Sequence, residues 1–172
     1  MNNVNLKNGL RFILLVLLQI GVFKQITMQM EYASYFHLFI YPIFIFLLPF
    51  RYSKVLIISL SFALGIAIDI FYDSIGIHAA ACVFTAFIRP TVLELIKPQS
   101  DYDVLLSPTV SNFGFIWFVT YATIMLFAHL LFYFSVEAFT FVYIGQVLLK
   151  TIGSFVASIL FILIYQFILN PK

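Results

Sequence analysis

Three ionisable side chains, Asp69, Asp73 and Arg89, lie in or beside apolar runs between residues 61 and 90. A carboxylate or guanidinium at the centre of a membrane-spanning helix costs roughly 2.5 to 3.5 kcal/mol on insertion scales. Such a group usually faces a partner inside the protein, a water-filled cavity or another protein, where it can relay protons or fix packing. Asp69 is therefore the first candidate for function.

Asp69 and Asp73 are four residues apart and share one face of a predicted helix. At about 1.5 Å of rise per residue, His129 and Lys150 come to nearly the same depth in the membrane as Asp69, whereas Arg89 does not. We hypothesise that Asp69 meets His129 or Lys150 inside the protein. The alternative is that Lys150 extends to the membrane surface and His129 bonds to a backbone carbonyl.

Small residues precede Asp69 on the same helical face, at Ser61 and Gly65. Small side chains at four-residue spacing let membrane helices approach each other closely. The pattern predicts that this helix packs in the centre of the protein.

Arg89 is followed by Pro90, and helical geometry is disfavoured for the residue before a proline. The sequence therefore predicts a kink or a break in the helix at this point. The guanidinium then has three candidate partners, which are lipid phosphate, backbone carbonyls freed by the break, and Glu94. A structural role is favoured for Arg89.

Catalytic and metal-binding motifs are not indicated. The three histidines, His37, His78 and His129, lie on different segments without the spacing of zinc ligands. The chain contains no G-x-S-x-G sequence and no glycine-rich phosphate loop. We predict no catalytic residue, no cofactor and no metal.

The composition is typical of an integral membrane protein. Hydrophobic residues make up 63% of the 172 residues and charged residues only 9%, whereas about a quarter of residues are charged in soluble domains. The nine Lys and Arg are spread singly, so no basic face follows a phosphate backbone and nucleic acid is not predicted as a partner. We expect one transmembrane domain, 1–172, surrounded by lipid bilayer.

Six segments are predicted as spans, since a spanning helix needs about 20 mostly apolar residues. They are 9–26, 35–50, 55–72, 77–96, 112–134 and 139–169. The second is short and contains Pro42 and Pro49, so it is either a kinked span or a re-entrant piece. The sixth is longer than a bilayer requires, which predicts strong tilt or a helix that begins near Gln146. The expected fold class is an all-α, compact six-helix transmembrane bundle.

An even number of spans places both termini on one side of the membrane. That side collects most of the basic residues, which are Lys7, Arg11, Arg51, Lys54, Lys97 and Lys172. By the positive-inside rule, both termini are predicted to be cytoplasmic. The first apolar segment is not followed by a small-residue cleavage site, so we expect a retained helix rather than a signal peptide.

Three short stretches carry a resemblance to a known family. The sequences GIAID at 65–69, GIHAAA at 76–81 and FIRP at 87–90 together resemble the central motif of MreD, the rod shape-determining membrane proteins, in the form seen in Bacteroidetes-type bacteria. The opening GLRFILLVLLQIGVF and the proline-containing region 41–49 are similar as well. Ile66 departs from the pattern, in which leucine is commoner. The motif positions in this chain are Gly65, Asp69, Gly76 and Pro90, with Arg89 beside them.

The resemblance implies a non-enzymatic role in the cell-elongation machinery that directs lateral peptidoglycan synthesis. MreD-like proteins bind the single-span protein MreC. They also lie near RodA and RodZ, near a separate transpeptidase of the penicillin-binding class, and near the actin-like MreB. The resemblance also implies a location in the bacterial inner membrane. It further implies the six-helix fold of the substrate-binding subunits of energy-coupling-factor vitamin transporters.

An alternative function is that of a substrate-binding subunit of a vitamin uptake transporter, or of another small membrane carrier. A vitamin-binding subunit needs a polar pocket that opens outward and, in that family, an Ala-x-x-x-Ala face on the first span. Here that spacing occurs only at Ala63 and Ala67, in the third predicted span. A proton-coupled carrier needs Asp69 and His129 to line a water path.

Overall fold

The structure is a computed structural model that describes residues 2–29, 36–98, 102–103 and 106–169. Its α-helices are α1 (Asn2–Leu18), α2 (Lys24–Gln29), α3 (Ile43–Phe46), α4 (Lys54–Tyr72), α5 (Ile77–Leu95), α6 (Val110–Phe113), α7 (Phe115–Ala138) and α8 (Ile144–Leu169). A π-helical turn, Gln19–Phe23, joins α1 to α2, and a 3-10 turn, Phe141–Tyr143, precedes α8. The described residues form no β-strand.

Five helices in the described part of the chain are long and apolar enough to cross a membrane. They are Asn5–Gln29, Lys54–Tyr72, Ile77–Leu95, Phe115–Ala138 and Ile144–Leu169. They correspond to the predicted segments 9–26, 55–72, 77–96, 112–134 and 139–169. The last helix begins at Ile144, close to the predicted start near Gln146. The chain thus has the all-helical character of a multi-pass membrane protein.

The predicted second span, 35–50, is not a spanning helix in its described part, 36–50. Residues 36–40 have no regular secondary structure and are called the extended segment below, and α3 is a single helical turn that begins after Pro42. Proline has no backbone N–H to continue a helix, so Pro42 and Pro49 confine helical geometry to the few residues between them. The count of six spanning helices is therefore corrected to five among the described residues.

The segment 36–53 runs back along α1. Near its start, the backbone N–H of Leu38 donates to the hydroxyl of Thr27 over 3.4 Å, and near its end the Tyr52 hydroxyl accepts from the Asn8 amide over 3.1 Å. The positions of Thr27 and Asn8 are about 28 Å apart along a helix, close to the thickness of a bilayer core. We refer to the two ends of the molecule as the Asp69 end, where this segment starts, and the Tyr52 end.

The extended residues bond to side chains of α8 on one side. The backbone N–H groups of His37 and Phe39 donate to the hydroxyls of Ser154 and Ser158, each over 2.9 Å. Alternate residues of an extended chain point the same way, and Ser154 and Ser158 are one helical turn apart, so the two spacings match. The match also fixes the direction of α8, which ends at the Tyr52 end.

The other side of the extended segment bonds to α1 through one glutamine. The side chain of Gln19 accepts from the backbone N–H of Ile40 over 2.9 Å and donates to the carbonyl of Leu38 over 2.8 Å. All residues from 38 to 49 are buried. Non-helical backbone at membrane depth is tolerated only where protein or a water-filled cavity satisfies its polar groups. The helices supply those partners here.

Pro90 does not break α5. The helix continues through Pro90 to Leu95, so of the predicted kink or break, the break is wrong. A proline removes one backbone donor, and packing against neighbouring helices holds the rest of the helix together. Arg89 thus remains on a continuous helix, which directs its side chain into the protein, where it is 2% exposed.

Candidate functional site

Asp69 caps the N-terminus of α5 from the preceding helix. Its carboxylate accepts the backbone N–H groups of His78 over 3.0 Å and of Ala79 over 2.9 Å, which are the second and third residues of α5. The first amides of a helix have no partner within it, and a carboxylate also complements the positive end of the helix dipole. Asp69 therefore fixes α4 to α5 at their shared turn.

Two side chains complete the surroundings of the Asp69 carboxylate. The Ser74 hydroxyl donates to it over 2.5 Å, and Nδ1 of His78 lies 2.9 Å from the same oxygen. Two oxygens lie near Nδ1 of His78, those of the Ser74 hydroxyl and the Asp69 carboxylate. Because the Ser74 hydroxyl donates its proton to Asp69, both oxygens can only accept from Nδ1, so Nδ1 carries a proton. With 5% of its surface exposed, Asp69 is buried, and four donors offset the cost of its burial.

Two glycines, Gly65 and Gly76, serve the same α4 to α5 connection. A Cβ atom on Gly65 would lie 2.6 Å from the backbone nitrogen of Ala79, so only glycine permits this approach of the helices. Gly76 has a φ of +76° and precedes the first residue of α5, a left-handed conformation that costs glycine little. Ser61 and Gly65 are both buried in α4, and the close approach of helices that small residues predict is seen at Gly65. The predicted central position of this helix is not, because a smaller share of α4 is buried than of α5 or α7.

The hypothesis that Asp69 pairs with His129 is wrong. The His129 ring lies between two hydroxyls, with Nδ1 2.8 Å from Thr85 Oγ1 and Nε2 2.9 Å from the Tyr41 hydroxyl. Because Thr85 donates its own proton to the Ala81 carbonyl, it accepts from Nδ1, and Tyr41 donates to Nε2. His129 thereby joins α7 to α5 and to the segment 36–53.

Lys150 does not meet Asp69 either. Its Nζ bonds to the carboxylate of Glu137 over 2.8 Å, and it lies 5.7 Å from the centre of the Phe134 ring. Lys150 and Glu137 are about a quarter exposed. Equal depth in the membrane led to the hypothesis, but depth does not specify which side of a helix a residue occupies.

Arg89 bonds to the C-terminal end of the buried residues 38–49. Its guanidinium donates to the carbonyl of Leu48 through Nη2 and to the Tyr121 hydroxyl through Nε over 3.1 Å. That hydroxyl donates in turn to the carbonyl of Phe46 over 3.2 Å. None of the three predicted partners is therefore used as predicted, because the one backbone carbonyl that Arg89 bonds, that of Leu48, follows α3 and was not freed by a break in α5. Glu94 is largely exposed.

Sequence reasoning missed two residues that matter as much as Asp69. His78 contacts the carboxylate through its side chain and its backbone, and Gln19 bonds both to the extended segment and to the Tyr72 hydroxyl over 2.8 Å. The signal for His78 was its place two residues after a turn glycine, where the first free amides of a helix lie. A glutamine in an apolar run was the signal for Gln19.

A cavity of about 540 Å³ opens at the Asp69 end. Its lining includes polar and aromatic residues from α2, the extended segment, the α4 to α5 turn and α7, namely Lys24, Thr27, His37, Tyr72, Asp73, Ser74, His78, Tyr133 and Glu137. Two buried ring nitrogens of these residues, Nδ1 of His37 and Nε2 of His78, have no hydrogen-bond partner among the described residues. Burial lowers the pKa of His37, so this imidazole is neutral at pH 7.

The described residues contain no group of three His, Cys, Asp or Glu side chains placed to hold a metal ion. The buried side chains of Asp69, Arg89 and His129 instead bond to other side chains and to backbone groups. No family model matches the chain, and comparisons with curated proteins and with solved structures give no significant match.

Proposed function

We propose that this protein is a non-enzymatic scaffold of the cell-elongation, or rod shape, machinery in the bacterial inner membrane. In this proposal it binds an MreC-like single-span protein and supports lateral peptidoglycan synthesis by RodA and its penicillin-binding transpeptidase. Both termini face the cytoplasm, on the side of the basic residues near the Tyr52 end. The basis is the resemblance of residues 65–90 to the MreD motif, together with the structural use of those residues.

The observation that carries the proposal is the contact between Asp69 and the start of α5. An acid that relays protons or binds an ion needs a free oxygen lone pair that faces a path or a cavity. The Asp69 carboxylate instead receives two backbone amides and two side-chain donors, and it is not among the described residues that line the cavity at the Asp69 end. Such an arrangement holds two helices in one fixed orientation, which a docking partner can recognise.

The geometry around Ser74 favours a role without catalysis. In a serine nucleophile, the hydroxyl donates its proton to a base, commonly the Nε2 of a histidine whose Nδ1 bonds to a carboxylate. Ser74 instead donates to Asp69 and lies on the Nδ1 side of His78. The three side chains therefore act as one helix cap.

The outer surface of α8 offers a face for a partner helix or for lipid. Large apolar side chains are exposed along it at spacings of three or four residues, at Leu149, Ile152, Val156, Leu160, Ile164 and Phe167. Residues at these spacings share one face of a helix. In the proposed scaffold, this stripe is where the span of the MreC-like partner docks.

Co-purification from detergent with an MreC-like partner tests the proposal. We compare the wild type with Asp69→Leu, which removes the cap, and with Val156→Trp, which changes only the exposed stripe of α8. Asp73→Asn is the matched control, because Asp73 is exposed and lies four residues from Asp69. We expect the partner with the wild type and the control, and less of it with the other two variants. A wild type that releases the partner, or that transports a solute alone, contradicts the scaffold role.

A second candidate is the substrate-binding subunit of a vitamin transporter. The observation in its favour is the cavity at the Asp69 end, which faces outward if the basic Tyr52 end is cytoplasmic. Its prediction is that a vitamin accompanies the protein through purification. Native mass spectrometry of the detergent-solubilised chain measures this directly, and a spectrum of the unliganded mass alone argues against it.

A further inference from the structure

We propose that a groove between α1 and α4 binds one anionic phospholipid from the membrane leaflet at the Tyr52 end. One acyl chain lies in the groove, and the phosphate lies at its mouth beside Asn5 and Arg51. The inference does not depend on the scaffold role, because the groove is separate from the exposed stripe of α8. The shape of the groove, the hydrogen-bond donors at its mouth and the surrounding charge support it.

The groove has a volume of about 570 Å³ and an apolar interior. Phe44 of α3 lies at its base and is 1% exposed, whereas Ile13 of α1 and Leu56 of α4 are 56% and 42% exposed. The groove is therefore open on the outer surface of the spanning helices, where lipid reaches it. The apolar lining includes Phe12, Ile13, Phe44, Leu56, Leu60 and Ala63.

The length of the groove favours an acyl chain over a partner helix. Its lining extends over about 12 Å of α1, from Asn5 to Ile13, and over about 10 Å of α4. Farther along, the Gln19 side chain donates to the Tyr72 hydroxyl over 2.8 Å, which joins the π-helical turn to α4 and closes the space between them. A partner helix crosses a hydrocarbon core of about 30 Å, whereas the acyl chains of one leaflet fill about 15 Å of it. The groove thus matches the lipid of a single leaflet.

The side chains at the mouth of the groove offer a free hydrogen-bond donor. The Tyr52 hydroxyl accepts from the Asn8 amide over 3.1 Å and donates to Oδ1 of Asn5 over 2.8 Å. The amide N–H groups of Asn5 donate to none of the described residues, and Asn5 is exposed. The phosphate and ester oxygens of a phospholipid are acceptors, so they match this donor.

The charge around the mouth is positive. The guanidinium of Arg51 lies 5.9 Å from the centre of the Tyr52 ring and forms no ion pair with a described residue. The stretches 5–13 and 50–63, which supply all of the lining except Phe44, contain no Asp or Glu. Basic pockets between spanning helices are typical sites for anionic lipid headgroups. The basic residues of the two stretches are Lys7, Arg11, Arg51 and Lys54.

Native mass spectrometry of the detergent-solubilised full chain tests the proposal. The probes are palmitoyl-oleoyl phosphatidylglycerol, which is anionic, and palmitoyl-oleoyl phosphatidylcholine, which has the same acyl chains and no net charge. We expect one phosphatidylglycerol to bind more tightly than any further copies, and about fivefold more tightly than phosphatidylcholine. A series of equally weak adducts, or equal affinity for the two lipids, overturns the proposal.

Substitutions of two glycines locate the acyl chain. Gly9 lines the groove, and a Cβ atom there meets nothing within 4 Å, so Gly9→Leu places its side chain in the open space of the groove. Phosphatidylglycerol affinity should fall about tenfold. Gly21→Leu is the matched control, because Gly21 has the same open space but does not line the groove, and it should bind lipid like the wild type. If Gly9→Leu does not fold, Ala63→Phe fills the groove from α4.

Substitutions of Arg51 test the headgroup. Arg51→Gln should remove most of the preference for phosphatidylglycerol, and Arg51→Lys, which keeps the charge, should retain it. Unchanged phosphatidylglycerol affinity in the folded groove variant, or an unchanged preference in Arg51→Gln, overturns the proposal. A dimer mass in the wild type that Gly9→Leu abolishes also overturns it, because the groove then holds a second copy of the chain.

Discussion

Replacing Asp69 by alanine should destabilise the protein by removing the cap of α5. In the wild type, the carboxylate accepts the backbone N–H groups of His78 and Ala79, both of which are buried residues. Alanine leaves these two amides without an acceptor in a region that water does not reach. The Ser74 hydroxyl and Nδ1 of His78 also lose an acceptor, but they remain close enough to bond to each other, at 2.9 Å.

The magnitude follows from the two amides. A buried donor that loses its partner costs about 1 to 3 kcal/mol, and removal of the buried charge offsets part of the total. We expect Asp69→Ala to lower the free energy of unfolding by about 4 kcal/mol and Asp69→Asn, which keeps one acceptor oxygen, by about 2 kcal/mol. In a chain of this length, 4 kcal/mol corresponds to a fall in Tm of roughly 8 to 16 °C.

Thermal unfolding in detergent, followed by circular dichroism at 222 nm, measures the effect. Asp73→Asn is the control, because this exposed residue should change stability by no more than about 0.5 kcal/mol. The expected order of Tm is wild type and Asp73→Asn together, then Asp69→Asn, then Asp69→Ala. If Asp69→Ala unfolds at the same temperature as Asp73→Asn, the cap does not stabilise the α4 to α5 connection and the reasoning is refuted.

Three other changes test separate parts of the structure. Gly65→Ala places a methyl group against the backbone of α5 and should lower the free energy of unfolding by about 3 kcal/mol in the same assay. The control is Gly9→Ala, which should be neutral or stabilising because nothing lies within 4 Å of the added methyl group. Equal Tm values for the two variants would contradict the close approach of α4 to α5. The single ammonium nitrogen of Arg89→Lys cannot occupy the positions of both Nε and Nη2, which bond to Tyr121 and Leu48. The variant should lower stability by about 2 kcal/mol, and an unchanged Tm would remove Arg89 from its assigned role. Because burial holds the folded-state pKa of His37 below 6.5, protons bind the unfolded chain more readily, and stability should be full above pH 6.5 and decline as the pH falls below it. His37→Asn should reduce that decline in a series of unfolding curves, and an identical pH dependence would show that His37 does not cause it.

The positions of five helices follow from the sequence because each is a long apolar run with a polar break at its end. The structure of segment 35–50 was harder to predict, since its apolar residues resemble those of a spanning helix. Its two prolines indicated an irregular chain, but the partners of that chain, Gln19 of the π-helical turn and Ser158 of α8, are far away in sequence. Each of these side chains, taken alone, is an ordinary polar residue in an apolar helix.

The importance of Asp69 could be predicted from the sequence, but its partners could not. The cost of a buried charge identifies the residue, whereas the partner depends on which way the chain turns after α4. The left-handed residues Asp73 and Gly76 reverse the chain and bring the start of α5 back to Asp69. The geometry of this turn decides the partners of Asp69. The similar depth of His129 and Lys150 in the membrane does not.

The extended segment also constrains how the protein is made. Two of its amides, those of His37 and Phe39, bond to serines of α8, more than a hundred residues later in the chain. A ribosome synthesises α8 last among the described helices. The extended segment therefore lacks these hydrogen-bond partners when it first emerges, and it cannot insert stably into the lipid phase at that stage. Its final placement waits for the closing helix, and a nascent chain that stops before α8 exposes unpaired backbone to quality-control proteases.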